Sequence, residues 1–183
     1  MRRTGAERAK LPFRAVNRAE DDGHDPGLQR HHLLPRQLAG RACFARMFAA
    51  LDADRVGFDD FRRNGLLLPA HSASARRLGL PLHRSPHQHY NALVIERAGQ
   101  IEAHWALRRA RLPEEAGVEA LFRLALLQRT LRRRLLDPRG ARVVLNASQP
   151  LGTGLDFSEL DAMADALWAG THTVLADSSS FAD

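Results

Sequence analysis

Cysteine is nearly missing from this chain: Cys43 is the single example in 183 residues. One thiol excludes an internal disulfide framework and any metal site built from several thiolates. Long apolar runs are missing too, none approaching the roughly 20 residues of a membrane helix, so no membrane partner is expected. The basic start, MRRTGAERAK, has no apolar stretch behind it of the kind a secretory signal carries. The expected location is the cytoplasm, or outside it by a route that needs no signal peptide. Lysine is also scarce, Lys10 being the one lysine among 27 Lys+Arg. An arginine-only habit reflects a GC-rich coding bias and is discounted as a sign of phosphate recognition, although arginine does form the better bidentate fork. There is no internal repeat and no low-complexity tract beyond Ser178–Ser180.

What is present suits an ordinary globule with a real core, at 44% hydrophobic and 26% charged residues. The length fits one domain, or one domain with an appendage. The formal charge of +6 is uneven: residues 31–140 carry +9 and residues 141–183 carry −5. A basic centre raises the local potential and favours a polyanionic partner, with nucleic acid the obvious one. Nine histidines leave imidazole as the metal ligand to follow.

The periodicity predicts an α+β protein, mainly α-helical with one small β-hairpin. Residues 1–29 are polar, hold the DDGHDPG cluster and read as a loose N-terminal arm. His31–Pro35 and Leu66–Leu68 read as short strands, each stopped by a proline, with Asn64–Gly65 as a turn dipeptide. Phe44, Met47, Phe48 and Leu51 form a helical stripe, and Asp52–Arg63 reads as loop. A short helix is expected over Ser72–Leu78, stopped by Gly79 and Pro81. A longer one should follow Ser85–Pro86 to about Arg109, and another should run from Pro113 to Asp137. A brief strand at Val143–Leu145 and a helix after Ser158 complete the reading. The division is an arm at 1–29, a core at 30–110 and a helical extension at 111–183 packing on that core.

The histidines concentrate on and after the hairpin: His31–His32, His71, and His83, His87 and His89. Adjacent residues of a strand face opposite ways, so one of His31 and His32 can hold a metal while the other faces a water. The blocks HHLLP at 31–35, NGLLLP at 64–69 and LPLHRSPHQHYNALV at 80–94 resemble the AHH nucleases of the HNH/endonuclease VII superfamily. The resemblance covers roughly residues 28–97 and departs in having Arg30 where a small residue precedes the histidine pair. It implies a ββα-metal finger, two strands and a helix around one divalent cation. By the same resemblance His31, His83 and His87 would be metal ligands and His32 the general base. Asn64 would brace the loop that carries the pair, and Tyr90 would pack the helix onto the hairpin. Arg84, beside the first later ligand, is placed to meet a phosphate oxygen.

Three imidazoles suit Zn²⁺, Ni²⁺, Co²⁺ or Mn²⁺ better than Mg²⁺, which prefers oxygen; which ion is used stays open. The activity implied is hydrolysis of a phosphodiester in DNA or RNA, the role that of a bacterial toxin or a defence nuclease, and the toxin role implies an immunity or inhibitor protein as partner. The alternative is a ββα module that grips nucleic acid without cutting it. Plainer readings hold elsewhere. His71 and His89 are expected to be exposed helix-start residues, while His24, His104 and His172 are expected at the surface without partners. Tyr90 and Trp105 belong to the apolar stripe, and Arg132–Arg134 to a solvated helix face.

Overall fold

The computed structural model describes residues 9–83, 88–137 and Ala162. Two strands, β1 (Leu28–His32) and β2 (Gly65–Pro69), pair antiparallel, with His31 opposite Leu66 and His32 opposite Gly65. Between them the chain makes four helices: α1 (Gln37–Gly40), α2 (Ala42–Leu51), α3 (Ala53–Val56) and α4 (Phe61–Asn64). After β2 come α5 (Ser72–Leu78), α6 (Gln88–Arg108) and α7 (Pro113–Leu136). The mainly helical α+β reading is correct. No helix among the described residues is long and apolar enough to cross a membrane.

The helices form where the apolar spacing demands them. Phe44, Met47, Phe48 and Leu51 are all buried along one side of α2. Tyr90, Val94, Ala98, Ile101 and Trp105 are the buried face of α6. Leu124, Leu127, Leu131 and Leu135 are that of α7, which begins with Pro113 at its N-terminus and Glu114 and Glu115 in its first turn. Gly79 ends α5 in the left-handed region at φ +67°. These faces meet Leu33, Leu34, Leu38 and Leu68 in one core.

Three expectations need correction. The first strand is Leu28–His32, so the histidine pair ends a strand and the segment Leu33–Pro35 leaves it. The ladder stops there because β2 has no residue beyond Gly65 to offer; the preceding Asn64 closes α4 instead. Asp52–Arg63 is not plain loop but holds α3 and the start of α4, begun by the Asp52 and Asp60 carboxylates, which accept from the amides of Asp54 and Arg62. Asn64 is helical and fully buried, not a turn residue. Residues 9–27 hold no regular element beyond one 3-10 turn at Phe13–Ala15, yet they are tied down. Phe61 donates its amide to the Leu11 carbonyl at 2.7 Å, Pro12 bridges Asp60, and Phe13 is buried. Asn17 adds bonds to Asp25 and Leu28. The strand at Val143–Leu145 and the helix after Ser158 lie outside the described residues.

Candidate metal and catalytic centre

Strand pleating sends the two histidines of β1 to opposite faces, as their adjacency requires. His31 turns inward and is 2% exposed. Its ring lies 4.9 Å from that of His83 and 5.0 Å from that of Tyr90, edge to face with both. His83 reaches this spot because its amide donates to the Pro69 carbonyl at 2.7 Å, which extends the edge of β2. Tyr90, on α6, donates its hydroxyl to the Leu33 carbonyl at 2.9 Å and so fastens that helix to the segment after the histidine pair. Burial pushes the Tyr90 phenol above its usual range, which keeps it a donor.

Gln29 precedes His31 by two residues and shares its face of the strand. Its carbonyl oxygen stands 3.1 Å from Nδ1 of His83. An amide oxygen only accepts, so this contact suits the tautomer with the proton on Nδ1, which leaves the Nε2 lone pair to a metal. A polar group fixing the tautomer of an imidazole is the usual support of a metal-ligating histidine. The donor set therefore fits a borderline divalent cation, with His31 and His83 as the two imidazoles brought together. Among the described residues no group of three His, Cys, Asp or Glu gathers closely enough to hold a metal by itself. His87 and Arg84 lie outside the described residues.

His32 faces the other way. Its ring stacks on Phe13 with centroids 3.7 Å apart and planes within 1° of parallel. Burial pulls its pKa down to about 4, helped by the Arg36 and Arg30 guanidiniums and opposed by Asp59. The ring is therefore neutral at pH 7, the state in which an imidazole can accept a proton.

Asn64 braces the segment that leaves β1. Its carbonyl oxygen accepts from the Leu34 amide at 2.7 Å, and its side-chain nitrogen donates to the carbonyls of Leu34 and Phe58, both at 3.1 Å. Its own backbone carbonyl accepts from Leu33 at 2.8 Å. Gln128 of α7, 4% exposed, donates to the same Asn64 oxygen at 3.3 Å. Sequence reasoning missed Gln128, although a glutamine set between Leu124, Leu127 and Leu131 on an apolar stripe was the available signal. His104 corrects another expectation: it stands 3.1 Å from the Glu119 carboxylate, which also receives Arg108 and Arg123. His71 and His89 are exposed at helix starts, as expected. A cavity of about 1080 Å³ is lined by Lys10, Arg55, Arg63, Arg129 and Arg132 among others, and by none of the histidines.

A model of a nuclease family of the HNH/ENDO VII superfamily with conserved AHH matches residues 12–129. The chain belongs to the AHH nuclease family. The match takes in the segment around the buried Phe13 and most of α7, well beyond the three sequence blocks. In this AHH nuclease, Arg30 occupies the alanine position of the motif, on an exposed stretch of β1, where its guanidinium donates to the Phe13 carbonyl at 3.0 Å. Membership makes the chain a nuclease in general terms, with nucleic acid as its substrate class. No curated protein and no solved structure matches it.

Proposed function

We propose that this AHH nuclease is a metal-dependent endonuclease that hydrolyses phosphodiesters with His32 as general base. The observation that carries this reading is the split of the adjacent pair: His31 is buried against His83, while His32 is a neutral ring on the opposite face. His31, His83 and His87 would hold one divalent cation, Zn²⁺, Ni²⁺, Co²⁺ or Mn²⁺ in preference to Mg²⁺. When bound, such a cation supplies Lewis-acid polarisation of the phosphoryl oxygen and stabilises the leaving oxygen. His32 takes the proton of the attacking water. The half-buried setting that keeps His32 neutral also makes it a weak base; the negative charge of an approaching phosphate raises its proton affinity when it is needed. Asn64 and Tyr90 hold the Leu33–Leu34 segment still, so the direction of the histidine pair is fixed before substrate arrives. Arg84 meets a non-bridging oxygen. The reading assigns the catalytic core to 30–110, and α7 of the extension that follows shares its apolar core.

The test is cleavage of plasmid DNA and total RNA by wild type and His32→Ala across a panel of divalent metals. Metal-dependent cleavage by wild type, lost in His32→Ala with nucleic-acid binding retained, supports the reading. A wild-type chain that binds nucleic acid but cuts neither polymer with any metal would make it a binding module instead. In the toxin role, co-expression with a cognate inhibitor protein would restore growth to cells that wild type kills and leave cells carrying His32→Ala unchanged.

A further inference from the structure

We propose that Phe13 is a positioning residue for the reaction, a flat platform that holds the His32 ring in the orientation proton transfer requires. The inference rests on His32 being the general base. It goes further in bringing a residue from before β1 into the working site.

The geometry is a stacked pair of rings backed by a third ring set edge to face. The Phe13 and His32 rings lie face to face at 3.7 Å and 1°. Phe13 is itself 7% exposed and meets Phe61 of α4 edge to face at 5.2 Å. Phe61 in turn lies over Gly65, the residue paired with His32 across the sheet; a Cβ at position 65 would come within 2.2 Å of the Phe61 ring. The platform is thus backed by a ring seated against the strand that pairs with His32.

Backbone contacts hold Phe13 to this place from both sides. Phe61 donates to Leu11, Pro12 bridges Asp60, and Arg30 donates to the carbonyl of Phe13 itself. A terminal ring torsion of histidine is broad, so an imidazole on an open strand end samples many planes. Contact across the whole of one face removes that freedom. The nitrogens of the ring lie in its plane, so fixing the plane fixes the line along which a proton arrives.

The test uses the full chain with Phe13→Leu, which keeps an apolar side chain in the pocket but removes the flat face, and Phe13→Tyr, which keeps the face. Circular dichroism and thermal unfolding report whether each folds. His32 ring-proton shifts in the metal-free protein should be displaced upfield in wild type and Phe13→Tyr, and should relax in Phe13→Leu. In Phe13→Leu, kcat should fall by about 10- to 100-fold with KM nearly unchanged, and Phe13→Tyr should restore most of it. If Phe13→Leu folds and cleaves like wild type while His32→Ala is inactive, the positioning role is wrong and the nuclease assignment survives. If His32→Ala keeps full activity, or wild type cleaves nothing, the general-base assignment fails and the role of Phe13 falls with it. Should Phe13→Leu fail to fold, the wild-type shifts and the kcat of Phe13→Tyr decide: ordinary His32 shifts, or a Tyr variant as slow as His32→Ala, overturns the proposal.

Discussion

Asn64 holds Leu34 by both of its main-chain groups: the carboxamide oxygen accepts from the amide at 2.7 Å and the nitrogen donates to the carbonyl at 3.1 Å. An asparagine side chain carries the same donor and acceptor as a peptide unit, so it stands in for the rung that β2 cannot supply. With Asn64 fully buried, neither group of Leu34 has water as a substitute.

Asn64→Ala leaves these buried groups without partners, at about 1–3 kcal/mol for each. The expected loss in urea unfolding is about 3 kcal/mol, together with most of the cleavage activity. Asn64→Asp keeps the acceptor but loses the donor bonds to Leu34 and Phe58. It also buries a charge, so it should be no more stable than the alanine variant. A stable Asn64→Asp enzyme would show that the brace is dispensable.

Gln29→Ala should weaken metal binding by about 10- to 100-fold, because Nδ1 of His83 loses the acceptor that fixes its tautomer. Gln29 is exposed, so the fold should be unaffected. Calorimetric titration with Zn²⁺ or Ni²⁺ measures the affinity, and long-range ¹⁵N–¹H spectra of the metal-free protein report the tautomer. Unchanged affinity together with an unchanged His83 tautomer would dismiss Gln29 as a bystander.

His32 should titrate at about 4 in the metal-free protein, against an ordinary value of 6.5. An unfolded chain takes up this proton as the pH falls through roughly 6.5, whereas the folded chain does so only near 4. Between those values the unfolded state binds more protons. The contribution of His32 to stability is therefore whole above the upper value and is lost as the pH falls toward the lower one. His32→Gln should show a flatter fall in its urea midpoint across that window. A His32 NMR titration near the ordinary value would contradict the burial argument.

Glu119 is nearly buried between α6 and α7, where its carboxylate receives Arg108, Arg123 and His104. Removing one member of a buried charged set leaves the others uncompensated, typically at about 3–5 kcal/mol. Glu119→Ala should be destabilised by that order, and Glu119→Gln by less, since an acceptor oxygen remains. Chemical denaturation of the two variants beside wild type checks the ranking.

Periodic segments were readable from sequence because their partners lie within a turn or two. The stripe of α2 and the leucines of α7 announce their buried faces through spacing alone. Segments held by distant residues were not. Phe13 carries no period, and its value depends on His32 and Phe61, which are remote in sequence. The same is true of α4, whose single turn is capped by Asp60 and locked by Leu11, and of His104, whose partner belongs to another helix. In the candidate site, the resemblance of three sequence blocks to the AHH nucleases pointed to His31, His32, Asn64 and His83. The supports were hidden because Gln29 and Gln128 matter through a hydrogen bond that no spacing rule encodes.

The two strands are neighbours in space but are joined by residues 33–64, four helices long. Closing so long a loop costs roughly 2 kcal/mol more than a four-residue turn, since each doubling of length adds about 0.6 kcal/mol. Strand pairing therefore cannot nucleate locally, whereas α6 and α7 need only the short link at 109–112. The histidine site should thus be assembled late in folding. In refolding from urea, helical ellipticity should recover ahead of the ability to bind Zn²⁺; simultaneous recovery would show that the strands meet first. On the proposed reading, a nuclease whose metal-binding histidines meet only after its helices have docked would be harmless for as long as it is half-made.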